Sequence, residues 1–127
     1  MENSKNKKVV GIVGNGFVGE SQIFAFSPTN EIRVYDIDPL KSTHTKDETH
    51  ESDFIFVCVP TPMNVDGGQD LSYIKKVFED SIEGPIYIIK STILPGTTEE
   101  LQKKYPHLNI IFSPEFLTER TAKLDML

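Results

Sequence analysis

The sequence predicts an α/β domain on a doubly wound parallel sheet, and three observations carry that prediction. Short runs rich in β-branched and aromatic residues alternate with helix-like stretches, the pattern of parallel strands joined by crossover helices. The run at residues 53–59 (DFIFVCV) is apolar at nearly every position, as a strand covered on both faces requires. A glycine-rich turn joins the first strand-like run to the first helix-like run.

Taken in order, residues 8–13 (KVVGIV) read as the first strand. A helix follows over residues 17–26 and stops at Ser27-Pro28, because proline disfavours helix at the residue before it. Residues 31–35 (EIRVY) form a second strand and residues 53–59 a third. Residues 70–80 are helical, with Asp70 as N-cap and Ile74, Val77 and Phe78 on one face. Residues 85–89 (PIYII) give a fourth strand, residues 97–104 a helix, and residues 109–112 a fifth strand. The stretch 41–52 (KSTHTKDETHES) is polar without apolar periodicity, so it predicts a loop or a short exposed helix. With 127 residues and no internal repeat, the chain reads as one domain, residues 1–127.

Composition narrows the partners. A formal net charge of −6 argues against a nucleic-acid backbone, which needs clustered Lys and Arg. It leaves a nucleotide open, because backbone N–H groups alone can build a small phosphate site. No apolar run approaches the roughly 20 residues of a membrane span, and no secretory leader pattern is present; a cytoplasmic protein is expected. The single cysteine, Cys58, forms no internal disulfide and reads as an inert small hydrophobe inside the third strand. His44, His50 and His107 suggest no ligand geometry, so no metal is expected.

Residues Gly14-Asn15-Gly16-Phe17-Val18-Gly19 spell G-x-G-x-x-G between a strand and a helix. Asp36 lies 22 positions after Gly14 at the end of the next strand, close to the interval of about 20 in the Rossmann dinucleotide fingerprint. In that reading Gly14 permits the tight turn, Gly16 lets the backbone approach a pyrophosphate, and Gly19 lets the helix pack on the strand. The phosphates meet free N–H groups at the helix start. Asp36 accepts the adenosine ribose hydroxyls and repels a 2′-phosphate, favouring NAD over NADP. Glu20 is expected to point to solvent. Three further polar clusters, Pro60-Thr61-Pro62, Lys90-Ser91-Thr92 and Ser113-Pro114-Glu115, follow the third, fourth and fifth strands. Each alone is an ordinary turn; together, beside a phosphate loop, they predict a ligand cleft.

The strings GNGFVG, YDIDP, VCVPTPMNVDGGQDLSYI, IIKSTILPGTTEEL and SPEFLTERTAKLDML resemble the N-terminal domain of the UDP-glucose/GDP-mannose dehydrogenase family. The resemblance runs from about Val9 to the last residue, apart from residues 41–52. It implies a four-electron oxidation of a nucleotide sugar, with UDP-glucose the commonest substrate, using two NAD in succession. Carried over by motif, Gly14, Asn15, Gly16, Phe17, Val18 and Gly19 hold the pyrophosphate and Asp36 the ribose, with Lys41 near the adenosine end. Val59, Pro60, Thr61 and Pro62 line the cofactor. Ser91 and Thr92 lie near the nicotinamide and the catalytic water. Glu115 works with that water, and Glu119 stands at the cofactor–substrate junction. Glu115, Phe116, Leu117, Thr118 and Glu119 contact the sugar nucleotide. A carboxylate that takes a proton from water suits thioester hydrolysis, although acids at a helix start are also common surface features.

The family's nucleophilic cysteine, its last Rossmann strand and its long dimerising helix belong to sequence beyond Leu127, and residues 41–52 are shorter than the family's usual stretch. The chain alone is therefore expected to be catalytically incomplete, and the resemblance implies that full-length relatives form homodimers. Two other classes stand beside this reading. One is a non-catalytic NAD-binding module. The other is an S-adenosylmethionine-dependent methyltransferase, against which the KST and PEFL blocks argue.

Overall fold

The computed structural model describes residues 8–113. Strands β1 (Val9–Val13), β2 (Glu31–Tyr35), β3 (Phe54–Val57), β4 (Ile86–Ile89) and β5 (Asn109–Phe112) form one sheet in the order β2-β1-β3-β4-β5. Every neighbouring pair is parallel, so all five carboxyl ends lie along one edge. The helices are α1 (Phe17–Phe26), α2 (Lys46–His50), α3 (Ser72–Glu79) and α4 (Thr97–Lys104), with a 3-10 turn at Pro39–Lys41.

Strand parity sorts the core into two layers. Ile55 and Val57 of β3 and Tyr87 and Ile89 of β4 pack with Ile74, Val77 and Phe78 of α3 and Leu101 of α4. On the opposite face, Val10, Ile12, Val34 and Phe56 meet Ile23 and Phe26 of α1. The chain steps outward from β1 to β2 and then returns past β1 to β3. The reversal puts α1 on one face and α3 and α4 on the other. In sheets of this kind, ligands bind outside the carboxyl ends at that switch point.

Helices α1 and α4 and strands β2 and β5 fall where the sequence places them. Helix α3 starts later than expected, at Ser72, with Leu71 rather than Asp70 at the cap position. Asp70 is tied back by its own N–H to the Pro62 carbonyl at 2.8 Å, while its carboxylate accepts the Ser72 N–H at 2.9 Å. Residues 41–52 depart further from expectation. They contain a short helix, α2, but it is not an exposed one, since Thr49 and His50 are buried. Thr45 and Glu48 form a capping box, each side chain accepting the other's backbone N–H. Gly11 of β1 makes room for the end of this helix, because a Cβ there would stand 2.8 Å from the Thr49 carbonyl and the Ser52 hydroxyl.

Candidate functional site

Each part of the site follows from a local feature of the chain. Gly14 leaves β1 with φ +95, in the left-handed region that disfavours side chains. A Cβ on it would stand 2.6 Å from the Cys58 carbonyl oxygen. A Cβ on Gly19 would strike the Gly14 carbonyl oxygen, so α1 approaches the loop as closely as the fingerprint requires. Gly16 differs from both: it is exposed, and a Cβ there would meet nothing within 4 Å. It borders open space. Gly16 is also the N-cap of α1 and supplies no side-chain cap, so the helix presents first-turn N–H groups of the kind that bind phosphate. Glu20 is exposed, as expected.

Asp36 joins the loop to the end of β2. One carboxylate oxygen accepts the Asn15 N–H at 2.7 Å and the other the Asp38 N–H at 2.9 Å. Asn15 donates its side-chain amide to the Lys41 carbonyl at 2.9 Å, and its own Oδ1 is buried without a partner. These bonds hold Asp36 at the mouth of a cavity of about 370 Å³, within the range of roughly 300–1,000 Å³ usual for small-molecule sites. Gly14, Asn15, Gly16, Asp36, Lys41, Val59 and Pro60 all line it.

Cys58 requires a correction. It lies just past β3, half-buried, and contributes to the cavity wall while packing on the α1 side of the sheet. The strand ends at Val57, two residues short of the expected Val59.

Past Pro60, the polar residues from Thr61 to Gln69 after β3 and from Ser91 to Leu94 after β4 sit on the same edge but outside the lining of this cavity. The Thr61 hydroxyl donates to the Thr92 carbonyl at 2.6 Å. The Gln69 amide donates to the Thr61 carbonyl at 3.1 Å and the Thr92 carbonyl at 2.8 Å, and accepts the Leu94 N–H at 3.1 Å. Ser91 is buried and donates to the Val59 carbonyl at 2.7 Å, whereas Thr92 is exposed. Lys90 reaches the Ser113 hydroxyl at 3.3 Å. Glu115, Phe116, Leu117, Thr118 and Glu119 lie outside the described residues. The sequence reading missed Gln69, which a Gly-Gly turn followed by a lone amide could have flagged. It also missed Lys46, His50, Tyr73, Lys76 and Asp80, which line the far wall of the cavity. Among the described residues no group of three or more His, Cys, Asp or Glu side chains could hold a metal ion, and no helix is long and apolar enough to cross a membrane.

A parallel sheet with a glycine turn after β1, an acid after β2 and a cavity at the switch point defines a dinucleotide-binding domain. The open cradle at Gly16, the uncapped helix start and the placed Asp36 fit such a cofactor. The chain belongs to the UDP-glucose/GDP-mannose dehydrogenase family, whose NAD-binding domain it matches over residues 38–127; NAD is its cofactor. That match begins after the glycine loop, and wider similarities reach back across it. A UDP-glucose 6-dehydrogenase of Campylobacter jejuni is 31% identical over 155 aligned positions, covering 91% of this chain and 38% of the relative. The alignment is longer than the 127-residue chain, so that relative carries residues this chain lacks. A GDP-mannose 6-dehydrogenase of Pseudomonas aeruginosa is 31% identical over 66% of this chain and 23% of its own length. The solved UDP-glucose dehydrogenase of Pyrobaculum islandicum superposes with a TM-score of 0.79 at 22% identity, over 94% of this chain and 38% of that one. The chain thus spans no more than 38% of the length of these relatives.

Proposed function

We propose that this chain supplies the NAD-binding half of a nucleotide-sugar 6-dehydrogenase that oxidises the C6 alcohol of UDP-glucose to the carboxylate of UDP-glucuronate. The observation that carries the reading is the cavity at the β1–β3 switch point, which Gly14, Gly16 and Asp36 all line. NAD, when bound, accepts hydride. The backbone of Gly14, Asn15, Gly16, Phe17, Val18 and Gly19 holds the pyrophosphate. The Asp36 carboxylate, with one N–H on each oxygen, retains lone pairs for the ribose hydroxyls. Lys41, Val59, Pro60 and Thr61 flank the cofactor, and Ser91 backs the nicotinamide end. Thr92 positions the hydrolytic water, Glu115 takes its proton, and Glu119 closes the cofactor–substrate junction. The stretch holding Phe116, Leu117 and Thr118 contacts the sugar nucleotide. Cys58 takes no part as nucleophile.

The test is calorimetric titration of the purified chain with NAD and NADP, together with an assay for NADH formation from UDP-glucose. NAD is expected to bind at least tenfold more tightly than NADP, about 1.4 kcal/mol, and the chain alone is expected to form no NADH. Equal or tighter NADP binding would overturn the role of Asp36. NADH formation abolished by Cys58→Ser would overturn the role assigned to that thiol.

A further inference from the structure

Beyond Asp36 the cavity runs on between α2 and α3 to a wall that the fingerprint does not explain. Lys46 and His50 stand on the α2 side and Tyr73, Lys76 and Asp80 on the α3 side. Asp80 pairs with Lys46 at 3.4 Å and with Lys76 at 3.6 Å. These pairs engage the carboxylate and offset one of the two ammonium charges.

His50 supplies its directional element. The ring is 3% exposed, and Nδ1 lies 2.9 Å from the Tyr87 hydroxyl. That hydroxyl also accepts the Ile82 N–H at 3.1 Å. With the phenolic proton assigned to Nδ1, the relay runs from Ile82 N–H to Tyr87 O–H to His50 Nδ1. In a neutral imidazole the remaining proton must sit on Nε2. Burial pushes the imidazole below its ordinary pKa, which keeps it neutral. Among the described residues no hydrogen bond reaches Nε2.

We propose that His50 reads the cofactor's base: Nε2–H donates to a ring nitrogen of adenine held between α2 and α3. This rests on the dinucleotide reading above and adds to it a residue from the polar segment that the glycine fingerprint leaves unassigned. Tyr87 acts as a positioning residue, since it fixes the tautomer without touching the base.

The experiment uses the 127-residue protein and ADP-ribose as probe, with affinities from calorimetry and His50 followed by long-range 1H–15N NMR. The free protein is expected to show the Nε2–H tautomer, and ADP-ribose to move the Nε2 resonance. His50→Leu is expected to weaken ADP-ribose about tenfold, the scale of one buried hydrogen bond. His50→Gln, which keeps an N–H donor, should recover most of that loss. Should His50→Leu fail to fold, the wild-type Nε2 shift decides the matter. An unmoved Nε2 resonance with ADP-ribose bound, or undiminished affinity in folded His50→Leu, overturns the base contact and leaves the dinucleotide reading standing. No ADP-ribose binding by the wild type overturns both.

Discussion

The two ends of the sheet's carboxyl edge are built on opposite plans. At the β1–β2 end, α1 starts without a side-chain cap and Gly16 borders open space. At the β3–β4 end the loop groups bind one another: Thr61 and Gln69 both donate to the Thr92 carbonyl, Leu94 donates to Gln69, and Ser91 donates to Val59. The first end leaves the start of α1 open beside Gly16, and the second ties its loop groups to one another. The difference is the basis for proposing that the β1–β2 end carries the complete adenosine half of the cofactor site. The β3–β4 loops present a shaped surface on which the exposed Thr92 stands.

The comparison breaks most sharply at Gly14. Gly14→Ala forces a side chain to φ +95 and toward the Cys58 carbonyl. Left-handed backbone costs a non-glycine residue about 1–2 kcal/mol before any clash, so a loss of about 2 kcal/mol or more is expected in chemical denaturation, with NAD binding lost. Retained NAD affinity would show that the turn does not shape the site. Next comes Asp36→Ala. Hydrogen bonds to a charged group are worth about 1.5–3 kcal/mol, so calorimetry should find NAD weakened at least tenfold.

A smaller effect is expected at the other end. Gln69→Ala removes the amide that joins residues 61, 92 and 94, at a cost of about 1–2 kcal/mol of stability. ADP-ribose affinity should stay within about twofold of wild type; a larger loss would mean that the two ends are coupled. The mildest perturbation is pH. Desolvation by burial lowers the pKa of His50 below its ordinary 6.5, against the opposing influence of Asp80 and with a smaller contribution from Lys46. The unfolded chain therefore binds a proton more readily than the folded one. Stability is full above pH 6.5 and declines as pH falls below it. Thermal denaturation of His50→Gln should show a shallower acid decline; an identical decline would assign it to other groups.

What the sequence disclosed follows the same divide. Strands and helices with apolar periodicity were legible to within a few residues, because burial of Ile, Val and Phe leaves a pattern. The glycine turn was legible because Gly14 and Gly19 answer steric demands that no other residue meets. The burial of helix α2 was not, because the face it buries is Thr49 and His50, and hydrophobic periodicity is blind to polar residues satisfied by hydrogen bonds. The Thr45–Glu48 capping pattern was the available signal. The far wall of the cavity was hidden for the same reason, and also because Tyr73, Lys76 and Asp80 look like the solvated face of an amphipathic helix. The loop clusters were legible as a shared edge, but not as a network, because Gln69 reaches across 23 residues to Thr92.

The most direct test compares the two halves of the cofactor on the 127-residue chain. ADP-ribose and nicotinamide mononucleotide are titrated separately and set against NAD. ADP-ribose should bind within about threefold of NAD, with nicotinamide mononucleotide weaker by at least a hundredfold, about 2.7 kcal/mol. Nicotinamide mononucleotide binding as tightly as ADP-ribose would contradict the assignment of the β1–β2 end as the complete half of the site.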